Sequence, residues 1–477
     1  MLAAAAVLVA LVGCGDIPSL NSESVAKPET PATSGPADVS PQSQLQPGAA
    51  SSVSVDRIAY IGPYGDLFTV NPDGSGERRL TGVRQVRSRS SDPAGPASPS
   101  DTAAFYTVQD LDFSESYAWP TWSPDGTRLA VSRVQITPNR SLEVSVQVID
   151  AVTGVTRTVY ENDVPALVAD GTPHYLYWSP NSEYLSFLAT TRQGMTLFAV
   201  NPQTTEGAMA LERGAPLYFS WGGNGDSLLV HSRDEVKLLQ RPFEPSRALL
   251  LANAAGFRAP ALSPDGRKWA YSGGDASDSY ISVGESDDPA VPRRILDTGA
   301  LVAFMWSPDG RTLAVADNPD PQGRIFQRIR LVNADGSNLR TLAEEPLIAF
   351  YWAPNSERLA WVGVDAEEQV FELKVNLVAE GSGQEGSREV GEASELFRFR
   401  PSGEVFTMLS FFDQYAYSHS PWSPDSSQLV MAGSEGPVAE RRNGHTPSGS
   451  RIYVLDAVGD TPPNEIAQGG VAFWSWN

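Results

Sequence analysis

From Leu301 to Val315 the chain reads LVAFMWSPDGRTLAV: six apolar positions in a row, a polar turn, then an exit through Leu313 and Val315. The unbroken run Leu301–Trp306 has no polar phase, so the strand it predicts is covered on both faces. In Ser307-Pro308-Asp309-Gly310, Pro308 presets φ for the first central position of a β-turn. Asp309 suits the second, and Gly310 tolerates the conformation that follows. Strand, tight turn, strand is the predicted unit, sandwiched between other sheets.

The unit recurs. Trp122-Ser123-Pro124-Asp125-Gly126, Trp178-Ser179-Pro180-Asn181-Ser182, Trp221-Gly222-Gly223-Asn224-Gly225 and Leu262-Ser263-Pro264-Asp265-Gly266 precede Trp306, and the copies at Trp352 and Trp422 follow it. Successive separations are 56, 43, 41, 44, 46 and 70 residues, a period near 43 with two long excursions. A four-stranded propeller blade repeated in tandem has this period. Later in each repeat a third strand meets an Asx-containing turn, as in Ile329–Val332 before Asn333-Ala334-Asp335-Gly336. Each such turn offers one or two oxygen ligands, which fits turn chemistry better than calcium.

These WSPDG turns resemble the WD40-like repeat of the TolB family of β-propellers, over residues 55 to 477. The resemblance implies an all-β propeller. It also implies a scaffolding role among envelope proteins, although TolB-like proteins pair their propeller with an N-terminal α/β domain that residues 1–52 do not supply. Residues 57–80 carry a first repeat without its leading strand, and Val471–Trp474 at the other end match the run into Trp306. The expectation is a ring of eight blades, with seven as the alternative because the Trp221 copy lacks Ser-Pro. Pairing of the C-terminal strand with the first blade closes it and removes an exposed edge.

Ahead of the repeats, residues 1–13 form a short apolar run ending before Cys14, the only cysteine. Leu11-Val12-Gly13-Cys14 looks like a bacterial lipobox, so residues 1–13 read as a lipoprotein signal peptide and Cys14 as the lipidated residue. Residues 14–52, rich in Ser, Pro, Ala and Gln without aromatics, read as a disordered linker, and 53–477 as the propeller. The expected location is exported and membrane-anchored, periplasmic or on the cell surface. The chain carries a formal charge of −22, of which the linker supplies −3, leaving −19 on the propeller. That charge argues against nucleic acid as a partner.

Because the repeats are accounted for by folding, function is sought in the insertions 81–117, 393–418 and 434–450, all assigned to one face. A partner-binding surface is expected from Phe105, Tyr106, Phe113, Tyr117 and Trp119 of the first. The second adds Phe406, Phe411, Phe412, Asp413, Tyr415 and Tyr417. The competing structural reading is that these aromatics form a small core capping the channel. The best functional reading is a monomeric, non-enzymatic scaffold for envelope proteins, and the alternative is a glycan- or peptide-binding protein. A hydrolase or lyase is a third possibility: there is no Gly-x-Ser-x-Gly elbow. The four histidines, His174, His231, His419 and His445, are scattered, with His174, His419 and Asp413 as the only candidate constellation. No cofactor, catalytic residue or metal ligand is assigned. If Cys14 carries the anchor, Cys14→Ala shifts the protein from the membrane to the soluble fraction on cell fractionation, whereas an unchanged distribution rejects the anchor.

Overall fold

The computed structural model describes residues 57–82, 115–136, 142–162, 173–241, 243, 248–253, 258–275, 277–286, 288, 292–378, 393–436, 449–459 and 461–476. Contacts divide the chain into two units, Met1–Ser52 and Val53–Asn477. Cys14 and the linker lie outside the described residues, as do Phe105, Tyr106, Phe113 and His445.

The second unit is a β-propeller. Among the described residues there are six four-stranded sheets and one of seven strands. All are antiparallel, and in five of the four-stranded sheets the four strands follow one another in sequence as a meander. The run Leu301–Trp306 pairs with Thr312–Asn318 in the register Phe304↔Val315, and that strand with Arg328–Asn333. Burial of nearly every residue of Leu301–Trp306 follows from a sheet packed on both sides. Between the first two strands the turn closes with Gly310 N–H donating to the Ser307 carbonyl at 2.8 Å, Gly310 lying at φ +70°. Asp309 Oδ1 accepts from the Ser307 hydroxyl at 2.5 Å and from Arg311 N–H at 3.1 Å, so the recurring aspartate serves its own turn.

Strand Val471–Trp474 pairs with Ile58–Ile61, Phe473 opposite Ala59, and supplies the inner edge of the sheet that begins at the N-terminal end of the propeller. The seven-stranded sheet has a different origin. Ser394–Pro401 is the outer strand beside Val370–Leu377, and its last three residues run on to pair with Gly433–Glu435 of the next meander. Ser402 N–H still reaches the Ala432 carbonyl, and Pro421 accepts from Val430 N–H at 2.8 Å. The inner strand of that meander is therefore interrupted: residues 403–420 are looped out of it between neighbouring registers.

The recurring tryptophan stitches one inner strand to the one before it. Trp178 Nε1 donates to the Thr121 carbonyl at 3.1 Å, Trp221 to Tyr177 at 3.1 Å and Trp306 to Ala261 at 3.2 Å. Trp352 donates to Met305, Trp422 to Tyr351 and Trp122 to Phe473 in the same way. Each acceptor is the residue just before the aromatic or aliphatic position of the previous repeat. The bond thus repeats with the period, burying the indole while satisfying its only donor. Two seams lack it: Leu262 replaces the tryptophan, and Trp474 Nε1 has no hydrogen-bond partner among the described residues.

A second stitch uses serine where glycine would be expected. Ser182, Ser356 and Ser426 adopt φ of 60°, 63° and 63°. Their hydroxyls accept from Asp125 N–H, Asp309 N–H and Asn355 N–H of the preceding turns at 3.0, 3.0 and 3.1 Å. A left-handed residue costs about 1–2 kcal/mol, and the link offsets about 1 kcal/mol of it.

Trp178→Phe keeps the packing but strands a buried carbonyl, so the denaturant midpoint is expected to fall by the equivalent of about 1–2 kcal/mol. Trp474→Phe removes a donor that has no acceptor and is expected to cost less than half as much in the same measurement.

Candidate functional site

Residues 403–420 fold into a plug on the propeller axis. Helix α1 spans Gly403–Ser410, with Ser402 capping it by accepting from Val405 N–H at 3.0 Å, and α2 spans Phe412–Tyr415. Val405, Met408, Leu409, Phe412 and Ala416 recur at helical spacing and are all buried. The plug touches inner strands all round the propeller, which only a segment on the axis can do. Phe412 packs on Phe350 at 5.0 Å and Phe326 at 5.8 Å between ring centroids. Gln414 Nε2 donates to the Phe219 carbonyl at 3.1 Å.

Tyr415 is held between Trp119 at 4.8 Å and Tyr175 at 4.4 Å. Both partners sit at φ above zero, 56° and 52°, where their strands slip register. A bulky aromatic in the left-handed region is strained, and the two bulges aim both rings at the axis.

His419 ends the plug in a closed, uncharged box. Its ring lies 4.6 Å from Phe473 and 5.4 Å from Tyr415. The Thr121 hydroxyl donates to the Trp119 carbonyl, so its oxygen accepts from Nε2–H at 3.0 Å. Nδ1 then accepts from the Ser418 hydroxyl at 2.6 Å, which makes the Nε2–H form the consistent one. Burial pushes the imidazole from an ordinary value of 6.5 down to about 3, only weakly opposed by the Trp119 backbone.

Asp413 is the plug's carboxylate on the channel side, and Glu404 is exposed. Desolvation raises the Asp413 pKa, against the pull of Ala259 N–H and the Arg258 guanidinium. Arg258 is itself lowered by burial, with Asp413 and Tyr218 acting the other way. The Tyr417 hydroxyl approaches the Trp306 backbone without closing a hydrogen bond, and Gln414 Oε1 has no partner among the described residues.

The residues assigned to a partner-binding face therefore divide. Phe412 and Tyr415 are buried, Tyr117 is buried with its hydroxyl donating to Glu115 Oε1 at 2.9 Å, and Trp119, Asp413 and Tyr417 are mostly enclosed. In this structure the buried rings of Tyr117, Phe412 and Tyr415 present no face to a partner, while Trp119, Asp413 and Tyr417 keep partial exposure. Phe406 is half-buried beside Phe371, and Phe411 remains 36% exposed at the outer end of the plug. The segment 393–418 holds the strand Ser394–Pro401, which joins two sheets, and the helices Gly403–Ser410 and Phe412–Tyr415. Tyr175, Gln414 and Arg258 were not singled out from the sequence. The spacing of Val405, Met408, Leu409 and Phe412 is the signal that could have found the plug.

The described histidines His174, His231 and His419 make separate contacts. His231 is buried with its ring nitrogens against the Arg258 and Arg233 carbonyls at 2.8 and 3.1 Å, and His174 packs on Tyr175. Among the described residues no group of three His, Cys, Asp or Glu side chains could hold a metal ion. Two clefts open on the turn face, about 500 Å³ beside Asn224 and Gln240, and about 360 Å³ beside Asp125 and Arg157.

No family model matches this chain, and no curated protein does. Solved structures do. The dihydro-heme d1 dehydrogenase NirN in complex with DHE is similar at 12% identity and a TM-score of 0.50, covering 89% of this chain and 77% of that one. A eukaryotic initiation factor is similar at 14% identity and 0.47, over 88% and 99%. TolB from Acinetobacter baumannii is similar at 14% and 0.35, over 80% and 89%. Likeness at this identity concerns the fold alone.

The box around His419 has a thermodynamic signature. The folded protein keeps the ring neutral while the unfolded chain binds a proton below pH 6.5, so this group makes stability fall as pH drops from 6.5 towards 3. Its share is about 2 kcal/mol between pH 6.5 and 5. Asp413, raised rather than lowered, contributes with the opposite sign, so the comparison is against His419→Asn. Urea unfolding at both pH values is expected to show that loss in the wild type and its disappearance in the variant.

Proposed function

We propose that the chain is an eight-bladed propeller, closed by Val471–Trp474 beside Ile58–Ile61, that works as a non-enzymatic recognition scaffold in the cell envelope. The seven-stranded sheet counts as two blades fused through Ser394–Pro401, which with six four-stranded sheets makes eight. Lipid on Cys14 would tether it, with residues 14–52 as the spacer. The observation that carries the reading is the plug. An axial channel filled by aromatic and aliphatic side chains, with Asp413 and His419 enclosed, leaves little room for chemistry on a substrate among the described residues. Recognition is left to the outer surfaces. The WSPDG resemblance to TolB-like propellers points the same way.

The outward side of the plug is the surface this reading favours on the insertion face. It presents Glu404, Thr407, Ser410 and Phe411, with Phe406 half-buried behind them, a small apolar anchor in a polar rim.

Substitution at exposed plug positions tests the scaffold without breaking the core. With Thr407→Arg/Phe411→Asp as bait in a crosslinking pull-down from envelope extract, at least one partner is expected to fall roughly fivefold or more relative to wild type. Equal recovery by both baits, with unchanged melting temperatures, removes this face as the docking surface.

A further inference from the structure

The repeat is broken most thoroughly at one seam, between the meander starting at Leu217–Trp221 and the one starting at Ala261–Leu262. Leu262 stands where tryptophan makes the indole stitch. Gly222-Gly223 replace Ser-Pro, and the replacement is sterically enforced: a Cβ at Gly223 would lie 1.3 Å from the Pro264 carbonyl oxygen. The neighbouring turn has moved in against the Gly223 backbone, where no proline fits. The inner strand of the second meander is cut to two residues. None of these departures is needed to build a blade, since the other repeats are built without them.

The larger cleft lies at this seam. It is an open depression of about 500 Å³. Its side chains are Asn224, Asp226, Ser227, Gln240, Arg241 and Asp265, all polar. Several are fixed in place. Arg241 is paired with Glu183, lies 3.5 Å from Asp226 and stacks 5.0 Å over the Tyr184 ring. Asn224 Nδ2 donates to Asp226 Oδ2 at 2.9 Å. Asp265 uses Oδ1 for its turn, accepting from the Ser263 hydroxyl and Arg267 N–H. Gln240 is exposed at the end of its strand.

We infer that this cleft is a binding site for a neutral oligosaccharide. An all-polar lining rejects an apolar ligand, whereas carboxylates, amides and a guanidinium held in fixed positions match the alternating donors and acceptors of sugar hydroxyls. Two aspartates against one arginine that is already paired disfavour an anionic sugar. The second cleft differs: Asp125 and Asp150 are matched there by Arg128 and Arg157, and the guanidiniums are engaged by the Ser182, Pro202 and Thr204 carbonyls. The inference stands apart from the scaffold reading, because cleft and plug are built from different residues.

The test is calorimetric titration of the full chain with maltotetraose, cellotetraose and chitotetraose, each to about 10 mM, a range that detects millimolar affinity. At least one is expected to bind the wild type. Binding is expected to weaken about tenfold or more in Asn224→Ala/Gln240→Ala, both outside the packed core, and to vanish in Ser227→Tyr, which fills the cleft. Melting temperatures of the variants check that the fold is intact. Absence of binding by all three sugars overturns the inference, as does binding that neither variant changes. A calcium titration serves as the further arm: calcium binding lost in Asn224→Ala/Gln240→Ala, with no response to sugar, makes the cleft a cation site instead.

Discussion

A strand that is apolar on both faces has to be covered twice, and inner strands such as Leu301–Trp306 and Leu347–Trp352 are in that position. The indole of one repeat resolves the constraint, because it fills the space between two sheets and hands its only donor to the inner strand of the sheet before. Indole and carbonyl are both buried, so each requires the other, and the geometry can be repeated only if neighbouring sheets keep a constant offset. Burial on both faces, the 43-residue spacing and the arrangement around an axis all follow from that contact. The serine links at the turns apply the same rule at the rim, where a hydroxyl in a left-handed residue joins one turn to the next.

The fold was legible because its signals are local and repeated. The Ser-Pro-Asp-Gly turn announces itself through φ and side-chain chemistry, and the lone apolar run at Val471–Trp474 has no role except to complete a sheet begun far away in sequence. What the tryptophans bond to could not be read, since the acceptor lies in another repeat and is a backbone group. Nor could the serine links, as serine in WSPNS looks like a tolerated substitution until its neighbour is in place.

The residue types of the site were legible in composition, and their burial was not. Aromatics crowd residues 397–417 as expected of a surface with business outside, yet the 3.6-residue spacing running through Val405, Met408, Leu409 and Phe412 sends one side of that stretch inward. Period, rather than aromatic content, decided where Phe412 and Tyr415 went. The charges moved with them: Asp413 and His419, candidate reactive groups when viewed as a list of residue types, are enclosed by rings and by the backbone of neighbouring sheets.

The plug is spliced into a strand instead of being hung from its end. Ser402 and Pro421 meet Ala432 and Val430, so only the place opposite Met431 separates the two halves of the interrupted strand. Excising the helices would leave a gap that one ordinary residue spans. An open-bore and a stoppered version of the same architecture are thus a single insertion event apart, and the bore can be furnished anew without disturbing the walls.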